Sequence, residues 1–454
     1  MSPADPAALE ALRAVESELD KRWGETKIGP SLDRIKALTH LLGDPQHSYP
    51  VIHITGTNGK TSTSRMIDAL LSRIGLRTGR YTSPHLQLAT ERISVDGEPI
   101  TPERYVEVYQ DVEPYLSMVD GQSDVRMTKF EVLTGMAFAA FADAPVEVAV
   151  VEVGMGGGWD ATNVADGRIA VVTPIGVDHV EYLGSDIEGI AREKAGIIKP
   201  GSVAILAEQT NEVARILIER ATEVDAMVAR QGLEFGVLQQ DVAVGGQMLK
   251  LQGLGGVYDE VFLPLHGAHQ ASNASLALAA VEAFFGAGKE QPLDVEAVRE
   301  AFASVTSPGR LERVRSAPTV LVDAAHNPHG AQALAAALRD EFGFRKLIAV
   351  VGVMDDKDAA GMLAALEPVV HEIVVTSNSS PRAMDADTLG DLAMEVFGEE
   401  RVFVQPSLAD AIEEAVLRTE EDDEEGSVSG GGVIVTGSVV TAGEARALFG
   451  KEPS

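Results

Sequence analysis

The strongest constraint on the fold is an alternation of two sequence patterns. From residue 50 onward, short runs of β-branched residues are each followed by a longer stretch whose apolar residues have helical spacing. This alternation favours an α/β fold with a mainly parallel sheet and helices on both faces. The predicted strands are residues 51–54, 146–153, 169–173 and 203–206, followed by a second set at residues 319–322, 347–351, 372–375, 402–404 and 433–436.

The chain length and one irregular stretch suggest how this fold is divided. With 454 residues, the chain is long enough for two to three domains of about 150 residues each. Residues 303–318 lack periodicity and include the turn-forming sequence Ser-Pro-Gly. We therefore expect a first domain at residues 1–305 and a smaller, Rossmann-like α/β domain at residues 306–454. Within the first domain, the Gly-rich and alternating residues 237–265 predict a small antiparallel meander.

Composition and charge exclude several classes of function. The formal net charge of −32 repels phosphate backbones and anionic lipids, so neither a nucleic acid nor a membrane surface is expected as a partner. The absence of cysteine excludes disulfides, zinc–thiolate sites, iron–sulfur clusters and cysteine nucleophiles, and it fits a reducing compartment. No apolar run reaches the roughly 18 residues that a membrane span requires. The N-terminus is acidic and amphipathic, unlike a signal peptide, so we expect a cytoplasmic protein.

A glycine-containing turn follows the first predicted strand. Residues 52–62 read Ile-His-Ile-Thr-Gly-Thr-Asn-Gly-Lys-Thr-Ser, and an amphipathic helical pattern comes next. Glycines let backbone amides approach phosphate oxygens, the helix N-terminus adds partial positive charge, and Lys60 supplies a full charge. Thr61 or Ser62 can hold magnesium. The usual spacing requires glycine where Ile54 stands, so this is a shorter variant of the P-loop; the alternative is a purely structural strand–turn–helix corner.

A second glycine cluster, at residues 154–158, follows the strand that ends at residue 153. A dinucleotide-binding fingerprint would need another glycine where Trp159 stands, so a Rossmann cofactor site is not expected. Glu152 instead stands at the C-terminal end of a strand, where open α/β sheets bind their ligands, and Asp160 follows on the loop. A carboxylate beside a triphosphate is a natural magnesium ligand.

Several short motifs occur in order along the chain. They are Gly56-Thr57-Asn58-Gly59-Lys60, Thr82-Ser83-Pro84-His85-Leu86, Glu152-Val153-Gly154-Met155-Gly156-Gly157, Asp160-Ala161-Thr162-Asn163, Asp178-His179, Glu193-Lys194-Ala195-Gly196 and Asp323-Ala324-Ala325-His326-Asn327-Pro328. Together they resemble those of the folylpolyglutamate synthase and dihydrofolate synthase branch of the Mur ligase superfamily. The resemblance runs from about residue 28 to the C-terminus.

The resemblance implies an N-terminal P-loop ATPase domain and a smaller C-terminal glutamate-ligase domain. It implies an ATP-dependent ligase that joins L-glutamate to dihydropteroate or to (tetrahydro)folate through an acyl phosphate, as in folate biosynthesis and one-carbon metabolism. Its partners would be small molecules, namely ATP, glutamate and a pteroate or folate. Two Mg²⁺ ions and a monomeric state are implied as well.

The resemblance also assigns roles to individual residues. The ATP-binding set comprises Thr57, Asn58, Gly59, Lys60, Thr61, Ser62, Asn273, Arg310 and Asp323. The implied metal ligands are Ser83, Glu152, His179 and Lys194, with Lys194 carbamylated to carry a negative charge. In the alternative, an unmodified Lys194 contacts phosphate directly. The pterin-contacting walls would be formed by Thr128, Lys129, Phe130, Glu131, Trp159, Asp160 and Ala161.

The implied catalytic residues are Lys60, Lys194 and His326. His326 is interpreted either as a positioning group at the domain interface or as the base that deprotonates glutamate. Two positions depart from the family pattern. Gly158 stands where many relatives carry arginine, which leaves the detail of the pterin pocket open, and Thr61 replaces a glycine common in this branch.

Three alternative functions compete with this interpretation. A Mur ligase acting on a UDP-muramyl precursor would carry an extra UDP-binding domain, for which the roughly fifty residues before Gly56 are expected to be too few. A P-loop NTPase or kinase of another class would not account for Lys194 in its motif or for a second domain that closes over the nucleotide. A catalytically inactive binding protein is disfavoured because every proposed phosphate and metal residue is present.

Overall fold

The alternating pattern of the sequence folds into two α/β domains. The computed structural model of the protein describes residues 5–23, 31–178, 184, 186–286, 292–420 and 430–453. Over these residues no helix combines the length and apolarity that crossing a bilayer would require.

The N-terminal domain is built on a large sheet. Its described strands are β1 (Val51–Thr55), β2 (Thr78–Tyr81), β3 (Ile93–Val95), β4 (Glu98–Pro99), β5 (Val148–Glu152), β6 (Gly167–Val172), β7 (Val203–Leu206) and β8 (Met227–Arg230). Their order is β4-β3-β2-β5-β1-β6-β7-β8, and neighbours are parallel except along β3 and β4. The chain leaves β1 towards β2 on one side and later continues from β6 on the other. Such a switch point creates a crevice beyond the C-terminal end of β1.

Helices cover both faces of this sheet. The helix after β1 shows why: its stripe of Met66, Ile67, Leu70 and Leu71 is fully buried against the sheet, and Gly75 ends it in a left-handed conformation that glycine adopts freely. The helices are α1 (Pro6–Leu19), α2 (Asp33–Leu41), α3 (Lys60–Ile74), α4 (Pro102–Gln122), α5 (Lys129–Asp143), α6 (Ile187–Ala195), α7 (Asn211–Glu223), α8 (Ala268–Phe285) and α9 (Val295–Ala303).

The predicted antiparallel meander is confirmed. Its strands are β9 (Gly236–Ala243), β10 (Gly246–Gln252) and β11 (Val257–Leu263), paired in the order β11-β10-β9. The buried Glu282 of α8 holds the turn before β11, because its carboxylate accepts hydrogen bonds from the amides of Leu254 and Gly255 and from the Tyr258 hydroxyl.

The C-terminal domain has a separate sheet. Its strands are β12 (Glu312–Ser316), β13 (Thr319–Val322), β14 (Lys346–Val351), β15 (Glu372–Val375), β16 (Val402–Val404) and β17 (Gly431–Thr436), in the order β12-β13-β17-β14-β15-β16. Only the edge strand β12 is antiparallel among these described strands. The helices are α10 (Pro328–Glu341), α11 (Ala359–Leu366), α12 (Ala386–Phe397), α13 (Leu408–Glu420) and α14 (Val439–Leu448).

All nine predicted parallel strands are present, with ends that differ by a few residues. The predicted strand at 146–153 was too long at both ends, since β5 covers only Val148–Glu152. Strands β2, β3, β4, β8 and β12 were not predicted. For example, β2 is buried throughout, although its sequence Thr-Gly-Arg-Tyr contains no apolar run. Its Arg80 can be buried because it pairs with the buried Asp68.

The two domains meet at the C-terminal ends of their central strands. Asn58, just after β1, and Asn327, at the start of α10, exchange two side-chain hydrogen bonds of 3.3 and 3.1 Å. The loops that follow β1 and β5 therefore face those that follow β13, β14 and β17 across one cleft.

Candidate active site

A cavity of about 340 Å³ occupies the cleft between the two domains. Residues from both domains line it, and the lining includes most of the residues that the sequence analysis singled out. From that set, the lining residues are Thr57, Asn58, Gly59, Lys60, Thr61, Ser62, Ser83, Thr128, Phe130, Glu131, Glu152, Trp159, Asp160, Ala161, Arg310 and His326.

The turn after β1 has a conformation that requires its glycines. Gly56 has φ +141°, and a Cβ atom there would lie 1.8 Å from Thr173 Oγ1. Gly59 has φ +87°, and a Cβ atom there would lie 2.6 Å from the Asn273 side-chain oxygen. The Lys60 ammonium folds back over the turn and donates to the carbonyl oxygens of Gly56 and Thr57, at 3.2 Å each. This arrangement gives a cationic loop at a helix N-terminus, which suits phosphate.

A buried carboxylate lies beside this loop at the end of β5. The Thr61 hydroxyl is 3.1 Å from both carboxylate oxygens of Glu152 and donates to them, and the backbone of Ser83 adds another hydrogen bond. Burial raises the pKa of Glu152 to about 7, although Lys60 and Thr61 act in the opposite direction. The side chain of Ser62 instead meets Ser307 across the domain junction, at 3.0 Å.

Lys194 comes to the phosphate loop from the opposite side. It is buried near the C-terminal end of α6, and its ammonium donates to the Gly56 carbonyl oxygen at 2.9 Å. Burial, with the neighbouring Lys60 acting in the same direction, lowers the pKa of Lys194 to about 7. A substantial fraction of Lys194 is therefore a neutral amine near neutral pH.

Hard oxygen donors suitable for Mg²⁺ surround this point. The carboxylate of Glu152 and the hydroxyls of Thr61 and Ser83 face the same cavity as Lys60. Mg²⁺ is usually held by one or two carboxylates together with substrate phosphates, so these residues fit the ion. His179, the fourth predicted ligand, lies outside the described residues. Within the described part of the chain, no group of three or more His, Cys, Asp or Glu side chains is arranged to hold a metal by itself.

The predicted pterin-contacting segments form one wall of the cavity. Thr128 caps α5, and Phe130 packs so tightly on Gly154 that a Cβ atom there would lie 2.4 Å from the ring. Glu131 pairs with Arg34 at 3.1 Å, and the Trp159 amide donates to Glu193. This wall combines two half-buried aromatic side chains, Phe130 and Trp159, with the ion pair of Glu131 and Arg34.

Besides Lys194, three predicted residues of the described chain do not line the cavity. The ammonium of Lys129 turns to α1 and pairs with Glu16 at 2.8 Å and with Asp20 at 2.7 Å. Asn273 supports the back of the phosphate loop at Gly59. Asp323 accepts hydrogen bonds from the amides of Leu311 and Ala325 and so shapes the junction rather than lining the cleft.

Asp160 lines the cavity, but its carboxylate turns inward. It accepts hydrogen bonds from the Met155 amide at 2.9 Å and from both the amide and the hydroxyl of Thr162, while burial raises the pKa of Asp160 to about 6. Thr162 in turn contacts the ring of His53 at 2.9 Å. Asp160 therefore holds the loop after β5 in place, and Thr162 links that loop to His53 of β1.

Asp178 connects the N-terminal domain to three side chains of the C-terminal domain. Its carboxylate is 2.8 Å from the Lys357 ammonium, 3.0 Å from the Asn327 amide nitrogen and 3.5 Å from His326 Nε2. The other ring nitrogen of His326 lies 3.1 Å from the Ala324 carbonyl oxygen. These contacts hold His326 at the domain interface, facing the cavity.

Sequence reasoning missed four cations that line the same cavity, namely Arg34, Arg65, Lys357 and Arg382. Arg65 lies on α3, about one and a half turns beyond Lys60, whereas Lys357 and Arg382 follow β14 and β15 of the C-terminal domain. A search for charged residues just beyond the ends of parallel strands would have found Lys357. Acidic side chains line the same cavity, and Arg34 pairs with Glu131, Lys357 with Asp178 and Arg382 with Asp356.

The buried His53 predicts a specific loss of stability in acid. Burial lowers the pKa of His53 to about 3, so below pH 6.5 the unfolded chain binds a proton that the folded chain does not. This group lowers the free energy of unfolding by about 1.4 kcal/mol for each pH unit below 6.5, down to about pH 3. Urea unfolding of the His53→Gln variant between pH 6.5 and 5 should show a shallower decline than wild type. The exposed His40→Gln control should keep the wild-type slope; equal slopes for all three proteins would contradict the prediction.

Comparison with known proteins agrees with this geometry. Residues 54–281 match the family described as Mur ligase middle domain, and residues 309–438 match that described as Mur ligase, glutamate ligase domain. The dihydrofolate synthase/folylpolyglutamate synthase of Mycobacterium tuberculosis is 57% identical, covering 99% of this chain and 96% of the relative. The Escherichia coli protein of the same name is 33% identical over 92% of each chain.

Solved structures show the same similarity. The M. tuberculosis folylpolyglutamate synthase complexed with ADP has a TM-score of 0.95 at 57% identity, covering 98% of this chain and all of that one. The E. coli protein in complex with DHPP and ADP has a TM-score of 0.84 at 31% identity, covering 99% of each chain. The protein therefore belongs to the Mur ligase family, in its dihydrofolate synthase/folylpolyglutamate synthase branch.

Proposed function

We propose that the protein is an ATP-dependent ligase that adds L-glutamate to dihydropteroate, to (tetrahydro)folate polyglutamates, or to both. One observation carries the proposal: Lys60 and the buried carboxylate of Glu152 line one interdomain cavity at the turn after β1, and the buried amine of Lys194 donates to the same turn at Gly56 from outside the cavity lining. A simple ATPase needs no second domain to complete this cavity, whereas a ligase must bring three substrates together. Relatives named as synthases of this kind support the same reaction.

The chemistry requires an activated carboxyl group. The folate carboxylate attacks the γ-phosphorus of ATP, an O–P bond forms as the bond to ADP breaks, and an acyl phosphate results. The glutamate amine then attacks the acyl carbon, loses a proton and expels phosphate. Lys60 and Arg310 line the cavity and would offset the negative charge that accumulates during transfer. Bound Mg²⁺ would supply further charge neutralisation, held by Glu152, Thr61 and Ser83.

Lys194 is proposed to carry a carbamate. Its neutral amine attacks CO₂, an N–C bond forms and a proton is released, so that a buried cation becomes an anion. Such an anion, together with His179, would suit a second Mg²⁺ ion. The lowered pKa of Lys194 supports this step because only the neutral amine reacts. The other possibility, an unmodified Lys194 that touches phosphate, predicts different rescue behaviour, as described below.

We propose that the pteridine lies against Phe130 and Trp159, and that the incoming glutamate lies towards the C-terminal domain. The E. coli relative has been solved with DHPP and ADP together, which supports a folate precursor beside the nucleotide. Lys357 and Arg382 of the C-terminal domain line the cavity, each paired with a carboxylate, Asp178 and Asp356 respectively. Two carboxylates of glutamate would be attracted there.

Further properties are proposed on the same basis. The domains would divide near residue 305, where α9 ends at Ala303 and β12 begins at Glu312. We also propose that the protein acts as a monomer in the cytoplasm, with small molecules as its only partners. Light scattering of the purified protein at assay concentration tests the monomeric state, and a dimer mass would contradict it.

A three-acceptor assay tests the function. Purified protein is given ATP, Mg²⁺ and labelled glutamate, together with dihydropteroate, with tetrahydrofolate or with a UDP-muramyl acceptor. We expect label to enter one or both pteridine acceptors with stoichiometric phosphate release. Transfer only to the UDP-muramyl acceptor would indicate a cell-wall ligase, and phosphate release independent of all three acceptors would indicate an NTPase of another class.

A further inference from the structure

A buried arginine in the last helix contacts three separate parts of the chain. The side chain of Arg446 in α14 is only 4% exposed. Its Nε atom pairs with Glu312 at 2.7 Å, its Nη1 atom donates to Gln87, and its Nη2 atom donates to the Glu452 carbonyl oxygen at 3.1 Å. One guanidinium therefore links the N-terminal domain, the domain junction and the C-terminal tail.

Gln87, the partner of the Nη1 atom, belongs to the loop after β2. The Gln87 amide nitrogen donates to the Lys451 carbonyl oxygen at 2.9 Å, so Gln87 is held by both the last helix and the tail. At Gly443, a Cβ atom would lie 2.0 Å from the Leu86 carbonyl oxygen, so α14 touches the backbone of this loop directly. The loop begins near Ser83, whose backbone bonds to Glu152.

Glu312, the partner of the Nε atom, stabilises the junction next to Arg310. Glu312 accepts the Arg446 bond and also accepts a hydrogen bond from the Gly309 amide at 2.8 Å. Gly309 has φ +65°, and a Cβ atom there would lie 3.2 Å from the Leu86 side chain, so the junction also packs on the loop. The next residue, Arg310, lines the cavity and acts electrostatically on Glu152.

We propose that Arg446 is a positioning residue for the nucleotide and metal site, although it lines no part of that cavity. It keeps the loop that carries Ser83 in register with the junction that carries Arg310. Through Arg446, the C-terminal segment therefore helps to position the residues of the ATP site. This inference rests on the proposed function only in taking Ser83 and Arg310 as nucleotide- and metal-site residues.

The choice of arginine follows from the number and direction of its partners. The guanidinium presents donors in a planar fork and can satisfy a carboxylate, an amide oxygen and a carbonyl oxygen at once, whereas a lysine ammonium on a flexible stem cannot match all three. Removing the cation leaves Glu312 without its charged partner in a half-buried place. The junction and the loop then lose their common anchor.

The test compares Arg446→Met with a matched control, Arg401→Met. Arg401 also bonds to several groups, Glu367 and the carbonyl oxygens of Val370 and His371, but it does so within the C-terminal domain and away from the junction. We expect Arg446→Met to raise the KM for MgATP and the Mg²⁺ concentration for half-maximal activity roughly tenfold, while the KM for the pteridine acceptor changes less than about twofold. Arg446→Lys should recover part of the loss, and Arg401→Met should leave the KM for MgATP unchanged.

A second variant covers the case in which Arg446→Met does not fold. Gln87→Leu removes the loop partner without burying or unpairing a charge, and it should raise the KM for MgATP in the same direction. The proposal is overturned if both foldable variants keep the wild-type KM for MgATP, or if every KM rises equally as in a general loss of structure. Calorimetric titration with ADP separates this proposal from the proposed function, because ADP affinity should fall in Arg446→Met even if no ligase activity is found in wild type.

Discussion

Replacing Lys194 by alanine is expected to lower the rate of glutamate addition by roughly 10³-fold. The substitution removes the buried nitrogen that lies 2.9 Å from the phosphate-loop carbonyl oxygen of Gly56. If Lys194 works as a carbamate, the loss is a loss of negative charge beside the metal, and acetate or formate should partly restore the rate by occupying the vacated space. Steady-state assays of phosphate release with increasing acetate measure both effects.

The chemistry of the rescue distinguishes the two forms of Lys194. Methylammonium should fail to rescue a carbamate-dependent enzyme, whereas rescue by methylammonium and not by acetate would indicate an unmodified lysine at the phosphates. Lys250→Ala is the control, because Lys250 is an exposed lysine paired with Asp259 on the meander. Full activity of Lys194→Ala would contradict both roles.

Replacing Glu152 by glutamine is expected to lower the rate roughly 10²-fold and to raise the Mg²⁺ requirement, because the isosteric amide has no charge to offer a metal. Burial raises the pKa of Glu152 to about 7, so the carboxylate is protonated over a large part of the acidic range. In wild type the Mg²⁺ concentration for half-maximal activity should therefore fall as pH rises from 6 to 8. Activity measured over a grid of pH and Mg²⁺ concentration tests this dependence.

The Glu152→Gln variant also tests the pH dependence of the Mg²⁺ requirement. In Glu152→Gln the Mg²⁺ requirement should be high and should depend on pH less than in wild type, since the proton of Glu152 no longer has to leave before the metal binds. Glu219→Gln, which removes an exposed carboxylate paired with Arg215 on α7, should behave as wild type. A wild-type Mg²⁺ requirement that does not change with pH would show that Glu152 does not control metal binding.

Local patterns were sufficient for much of the fold. The strand–turn–helix at residues 51–74 has an apolar strand, two glycines with positive φ and a helix with one apolar face, and each feature acts through near neighbours in the sequence. The same is true of the five parallel strands of the C-terminal sheet, β13 to β17. Strands such as β2 were missed because their burial depends on partners far along the chain, as in the pair of Arg80 with Asp68.

Within the site, residue type was predictable but direction was not. Thr128, Lys129, Phe130 and Glu131 are adjacent, yet the Lys129 ammonium turns to α1 while Phe130 faces the cavity. Asp160 lines the cavity, but its carboxylate oxygens accept hydrogen bonds from backbone amides of its own loop. The helical period and the acidic partners supplied by α1 decide these directions, and neither is visible in a four-residue motif.

The sequence by itself determined the two α/β domains, the strand–turn–helix at residues 51–74 and the family, because strand periodicity and motif spacing are local properties. Only the tertiary structure brought Lys357 and Arg382 to the cavity of Lys60, joined Asp178 to the C-terminal domain, and placed Arg446 between Gln87 and Glu312. The hydrogen-bonded pairs Lys357–Asp178, Arg446–Glu312 and Arg446–Gln87 are separated by 134 to 359 residues along the chain. Such contacts depend on how two domains pack, and domain packing is set by the summed shape and charge of whole surfaces rather than by any single segment.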